Sequence, residues 1–92
     1  MTWRFDQSAD PDQFRRLLDE QNEWPAPYTF KFIVPSRGLD DLAALLEGFN
    51  LETRTSRKGN YISVTLTPLM PSSEAVIDIY ERVSGIEGLV AL

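Results

Sequence analysis

From Tyr28 the chain alternates, with Tyr28, Phe30, Phe32 and Val34 interleaved with Thr29, Lys31 and Ile33. That period of two is the pattern of a strand with its aromatic side buried and Lys31 facing out. Pro35, Ser36, Arg37 and Gly38 break the strand. Leu39, Leu42, Ala43, Leu45, Leu46 and Phe49 then recur at helical spacing and predict a helix that ends at Gly48 or Asn50. Asp40 and Asp41 fall in its first turn, where carboxylates interact favourably with the helix dipole. A strand over 51–57 follows, and Arg57, Lys58, Gly59 and Asn60 supply turn chemistry. Over 61–69, Ile62, Val64 and Leu66 alternate with Tyr61, Ser63, Thr65 and Thr67, so these two strands form a hairpin. Ser72 or Ser73 caps a last helix, with Val76, Ile79, Tyr80 and Val83 as its buried stripe and Gly85 at its end. Leu89 to Leu92 reads as a short apolar strand.

The order over 28–92 is therefore β-α-β-β-α-β. It predicts an α+β fold, the ferredoxin-like split β-α-β with a four-stranded antiparallel sheet and two helices on one face. Ahead of it, residues 1–23 form a polar arm in which Asp6, Asp10, Asp12, Asp19, Glu20 and Glu23 outnumber Arg4, Arg15 and Arg16. Asp10 followed by Pro11 reads as a helix start, and Phe14, Leu17 and Leu18 share one face, which predicts a short helix. Before it, Trp3 and Phe5 alternate with Thr2 and Arg4 as an extended segment. Pro25 and Pro27 stop the helix, because each proline disfavours helical geometry in the residue before it. The expected organisation is an arm over 1–23 and a domain over 24–92.

In the usual 4-1-3-2 strand order, the strands over 51–57 and 89–92 are the sheet edges. The first carries Glu52, Arg54 and Arg57, which discourage pairing with another chain, whereas Leu89, Val90, Ala91 and Leu92 carry no charge. An unguarded edge needs a cover or a partner. The expected interface is thus Leu89, Val90, Ala91 and Leu92 with Trp3 and Phe5, either the arm folded onto the edge or self-association of two chains.

Composition narrows the chemistry. The chain has 92 residues, 9 Lys plus Arg against 14 Asp plus Glu, a net charge of -5, and neither Cys nor His. That length makes one small core. Disulfides, thiolate catalysis, Cys- or His-type metal sites and Ser-His-Asp catalysis are excluded, and no cofactor or metal is expected. The acidic balance disfavours nucleic acid as a partner. The first residues lack the basic, apolar pattern of a secretory signal, and no apolar run approaches a membrane span, so a cytoplasmic protein is expected.

Three stretches, WPAPYTFKFIV at 24–34, SRKGNYISVT at 56–65 and PSSEAVIDIY at 71–80, resemble the YbeD-like family of small uncharacterised bacterial proteins. The resemblance spans 24–92 in order, and the polar arm lies outside it. Ala26 stands where many members carry Cys. What the resemblance implies is chiefly fold, a ferredoxin-like domain similar to the ACT domains that regulate amino-acid enzymes. From it follows the expectation of a non-catalytic regulatory or adaptor domain acting through a protein partner or as a homodimer, or of ACT-like sensing of a small anionic metabolite.

Two stretches are candidate ligand sites. Arg54, Arg57 and Lys58, with Asn60 and Tyr61, form the most basic part of the chain, and arginine suits a phosphate or carboxylate. The same residues also serve turn geometry and edge protection. Ser36, Arg37 and Gly38 occupy the first strand-helix loop, where ACT domains place a glycine beside their ligand, although the fuller motif of those domains is absent. A third surface, the open sheet face with Thr29, Lys31, Tyr61, Ser63, Thr65 and Thr67, is where RNA-recognition modules of this fold stack bases. Here only Tyr61 is aromatic, which weighs against RNA. Acylphosphatases are similar in fold and use an arginine in the loop that holds Arg37, but their glycine-rich cradle is missing, so no catalysis is expected.

Overall fold

The computed structural model of the chain describes residues 10–92. Its elements are α1 (Pro11–Gln21), β1 (Ala26–Pro27), β2 (Phe30–Pro35), a 3-10 turn (Ser36–Gly38), α2 (Leu39–Leu45), β3 (Glu52–Thr55), β4 (Tyr61–Leu66), β5 (Leu69–Met70), α3 (Ser73–Val83) and β6 (Val90–Ala91). The alternation read from the sequence becomes a four-stranded antiparallel sheet of order β3-β4-β2-β6. At its centre β2 and β4 pair from Phe30 opposite Leu66 to Pro35 opposite Tyr61. The edges are β3 and β6.

Strand boundaries differ from the sequence reading. The main-chain partner of Tyr28 is Pro68, whose carbonyl accepts its N–H at 3.0 Å, and the chain before it pairs elsewhere: β1 and β5 form a second, two-stranded sheet. Prolines at 25, 27, 68 and 71 hide both short strands from a pattern search. The strands expected over 51–57, 61–69 and 89–92 are each shorter, at Glu52–Thr55, Tyr61–Leu66 and Val90–Ala91. α2 stops at Leu45, ahead of the expected Gly48 or Asn50, because the chain turns through Leu46 to a left-handed Gly48 at φ 93°.

Both longer helices begin where their caps lie. The Asp10 carboxylate accepts the Asp12 N–H at 3.0 Å, and the Ser72 hydroxyl accepts the Ala75 N–H at 3.2 Å. On α1, Leu18 is buried and Phe14 half-buried, but Leu17 is exposed, so its apolar stripe is narrower than expected. α1 lies against α3, and α3 also contacts α2. Enclosed in this way, α3 buries Ser73 and Ile77 in addition to the expected Val76, Ile79, Tyr80 and Val83.

The core lies on one side of the sheet. Phe30, Phe32 and Val34 of β2 and Ile62, Val64 and Leu66 of β4 form one buried cluster with Leu42, Leu46 and the inner face of α3. The opposite side, with Lys31, Ile33, Tyr61, Ser63 and Thr65, is exposed or half-buried.

An aromatic group fills one end of the core. Tyr28, Phe30 and Phe32 surround Tyr80, with ring centroids 6.4, 5.2 and 6.0 Å from it, and the Tyr28 and Tyr80 hydroxyls are 3.1 Å apart. Burial, then the hydrogen bond with Tyr28, pushes the Tyr80 phenol far above the usual tyrosine range. The unfolded phenol ionises near pH 10, so above that pH the folded chain holds the extra proton. Stability therefore falls as pH rises, by about 1.4 kcal/mol per pH unit from this group. Tyr80→Phe is expected to remove one proton's worth of slope above about pH 10, which urea midpoints measured across that range would show.

Candidate functional site

The hairpin between β3 and β4 builds its own turn. Ser56 donates its N–H to the Tyr61 carbonyl at 2.8 Å and accepts the Gly59 N–H on its carbonyl at 2.9 Å, and its hydroxyl accepts the Tyr61 N–H at 3.1 Å. Gly59 sits at φ 77°, in the left-handed region that glycine adopts without strain. The 3-10 turn after β2 is tied to this hairpin. The Ser36 N–H donates to the Asn60 carbonyl at 3.0 Å, and the Ser36 hydroxyl donates to the Gly59 carbonyl. The two stretches singled out in the sequence thus meet at one end of the sheet.

They do not contribute equally to an accessible site. The polar groups of Ser36 and the Asn60 carbonyl are engaged in joining the turns. Gly38 is buried, and a Cβ there would come 2.8 Å from Val34 Cγ2 and 3.3 Å from Ile86 Cγ2, so core packing accounts for this glycine. Arg37 lies 3.8 Å from Glu87, an ion pair so exposed that it contributes little. Lys58 is exposed at the hairpin tip.

Arg54, Arg57 and Tyr61, by contrast, come together with Ile33 and Ser63 around a shallow hollow of about 490 Å³ on the open side of the sheet. Strand register sets this arrangement: Arg54 is opposite Ser63, Ser63 opposite Ile33, and Ile33 opposite Val90. Tyr61 is 52% exposed. Ile33 is an apolar member of this surface that the sequence reading passed over, although the parity it shares with Lys31 would have placed it there, and Val90, expected at the apolar edge, lies opposite it.

Charge is divided between the strands and the helices. The strands and the hairpin carry Lys31, Arg54, Arg57 and Lys58 against one carboxylate, Glu52. The helices carry Asp12, Asp19 and Glu20 on α1, Asp40 and Asp41 on α2, and Glu74, Asp78 and Glu81 on α3, against Arg15, Arg16 and Arg82. Among the described residues the ion pairs join Arg15 to Asp12, Arg37 to Glu87 and Arg82 to Asp78, and none involves the four sheet-side cations.

The two edges differ. At β6, Leu89 and Val90 are half-buried, Ala91 is buried and Leu92 exposed, while Trp3 and Phe5 lie outside the described residues. Leu92 donates its N–H to the Lys31 carbonyl at 2.8 Å, and the alternation of an antiparallel ladder then leaves only the Ala91 backbone facing outward within this strand. At β3, the Ser56–Tyr61 bond fixes the opposite result. Glu52 and Arg54 turn their backbone toward β4, and Thr53 and Thr55 turn theirs outward. All four β3 residues are exposed.

The profile of a family described as "Protein of unknown function (DUF493)" matches residues 19–92. The chain belongs to the DUF493 family. This DUF493 chain is similar to a UPF0250 protein of Shewanella piezotolerans (strain WP3 / JCM 13877), at 30% identity over 79 residues that cover 78% of this chain and 90% of the relative. The YbeD-like resemblance read from the sequence is thereby confirmed. No solved structure matches the chain. The DUF493 match includes every residue that lines the hollow. Among the described residues, no helix is long and apolar enough to cross a membrane.

Proposed function

We propose that this DUF493 domain is a non-catalytic adaptor or regulatory module of ferredoxin-like architecture that binds an anionic partner on the open side of its sheet. The observation that carries the reading is the collection of Arg54, Arg57 and Lys31 on the open side of the sheet, with Lys58 at the adjoining hairpin tip, none with an ion-pair partner among the described residues, in a chain whose net charge is -5. Arginine forks recognise carboxylates and phosphates in bidentate fashion, and a half-exposed tyrosine beside them adds contact area at low entropic cost. Absence of His and Cys supports binding over catalysis.

The test is affinity capture from a bacterial extract with the wild-type chain and with Arg54→Glu/Arg57→Glu side by side. A captured protein lost with the double variant supports the reading, and an identical captured set overturns it. A second reading, sensing of a small carboxylate or phosphate, draws on the same two arginines and the hollow. It predicts a rise in melting temperature with citrate or inorganic phosphate that Arg54→Ala removes. Two alternatives have less support. For sensing at the Ser36–Gly38 loop, the Ser36 groups are engaged and Gly38 is buried. For self-association through β6, the strand offers one outward residue.

A further inference from the structure

We propose that the β3 edge takes up an extended acidic segment of a partner protein as a fifth strand, with the carboxylates of that segment meeting Arg54 and Arg57 above the hollow. The proposal rests on the preceding reading, that the open side of the sheet receives an anionic partner, and it names the partner's conformation and register.

Three observations lead there. First, among the described residues β3 is an unpaired edge, exposed along its whole length, and its outward backbone groups are the N–H and C=O of Thr53 and Thr55. Such a row of free donors and acceptors is a template for an added strand. Second, the side chains that share the open face beside this edge are selective. In an antiparallel addition, Thr53 and Thr55 form the hydrogen-bonded pairs, so Arg54 belongs to a non-hydrogen-bonded pair, whose Cα atoms lie about 4.5 Å apart with side chains close together. An Asp or Glu facing Arg54 makes a direct carboxylate-guanidinium contact, and an acid two residues earlier lies over Ser56 toward Arg57. Glu52, on the same face, rejects a third acid, so the register is fixed with acids toward the hairpin and a neutral residue opposite Glu52. Third, the hollow lined by Arg54, Arg57, Tyr61 and Ile33 opens on the same face as the side chains that an added strand would set opposite Arg54.

A second copy of this chain matches less of the surface. Its own Glu52 would neutralise Arg54 but leave Arg57 and Lys58 unmatched. A single-stranded nucleic acid would find one exposed aromatic ring and an acidic protein behind it.

The test uses the full 92-residue chain, labelled with nitrogen-15. The probes are a capped peptide Glu-Val-Glu-Val-Thr-Val-Thr, its twin with Lys in place of Glu, and an oligouridylate. The acidic peptide is expected to shift the amides of Thr53, Arg54, Thr55 and Tyr61 and to slow hydrogen exchange at Thr53 and Thr55, while the lysine twin shifts nothing. Arg54→Glu weakens the acidic peptide by about tenfold or more. Thr53→Pro weakens it similarly, because proline at an outward-facing edge position removes one donor and leaves the β3–β4 ladder in place. Unchanged β2 and β6 resonances in both variants show that the fold persists.

Equal binding of the two peptides, shifts confined to another surface, tighter binding of the oligouridylate, or a β3-dependent dimer that forms without peptide each overturns the proposal. If neither peptide binds but Arg54→Glu/Arg57→Glu still loses its captured partner, strand addition fails and the anionic-partner reading stands. If capture is also unaffected, both fail.

Discussion

Phe30→Ala is expected to lower the unfolding free energy by about 3–5 kcal/mol, a large share of the 5–15 kcal/mol typical of a whole domain. Phe30 has no exposed surface, and its ring is stacked on Phe32 at 6.1 Å and packed against Tyr28 at 4.8 Å and Tyr80 at 5.2 Å. Truncation removes apolar area and opens a cavity that these rigid neighbours cannot close, because Tyr28 and Tyr80 are joined through their hydroxyls. Urea unfolding followed by tryptophan fluorescence measures the loss. A change below about 1 kcal/mol would show that the aromatic group rearranges to fill the space.

Gly88→Ala is the second large effect, from a different cause. Gly88 adopts φ 79°, and a Cβ there would lie 2.8 Å from Cγ and 3.3 Å from Cδ of Pro35, a ring that cannot swing away. Left-handed geometry costs a non-glycine residue about 1–2 kcal/mol, and forced overpacking costs about 1–3 kcal/mol more. The expected total is about 2–5 kcal/mol. Gly59→Ala provides the comparison, since φ there is 77° but nothing lies within 4 Å of the added carbon, so only the backbone cost of about 1–2 kcal/mol applies. Chemical denaturation of the two variants separates strain from contact. Equal losses would show that Pro35 moves aside. Because Gly88 directs the chain into β6, its variant is also expected to speed amide exchange at Ala91 more than at Val64.

Most of the sheet was legible in the sequence because period-two alternation survives wherever one side is buried. Phe30, Phe32 and Val34 face inward as their spacing requires, and so do Ile62, Val64 and Leu66. The Asp10 cap was readable from local chemistry alone, and the last helix's cap was narrowed to Ser72 or Ser73, of which the structure uses Ser72. β1 and β5 were not, because strands of two residues flanked by proline have no period to detect. The exposure of Leu17 was hidden for another reason: only the position of α3 decides which part of the α1 stripe is covered. At the candidate site, the sequence named Arg54, Arg57 and Tyr61, and Val90 only as part of the apolar edge, but not Ile33, since an apolar residue within a strand attracts notice as core and not as surface. The link from Ser36 to Gly59 and Asn60 joins residues more than 20 apart and depends on pairing across β2 and β4, which no local pattern encodes.

None of the side chains over Glu52–Thr55 contributes to the buried cluster. Detaching this strand therefore breaks one ladder of hydrogen bonds and withdraws no buried side chain of its own, so its opening is a local event far less costly than global unfolding. Phe30, on β2 and separated from this edge by β4, stays covered while β3 frays. The chain can thus exchange, retune or rebuild its outermost strand through mutation without loss of the folded core, so the strand best placed to receive a partner is also the one freest to change.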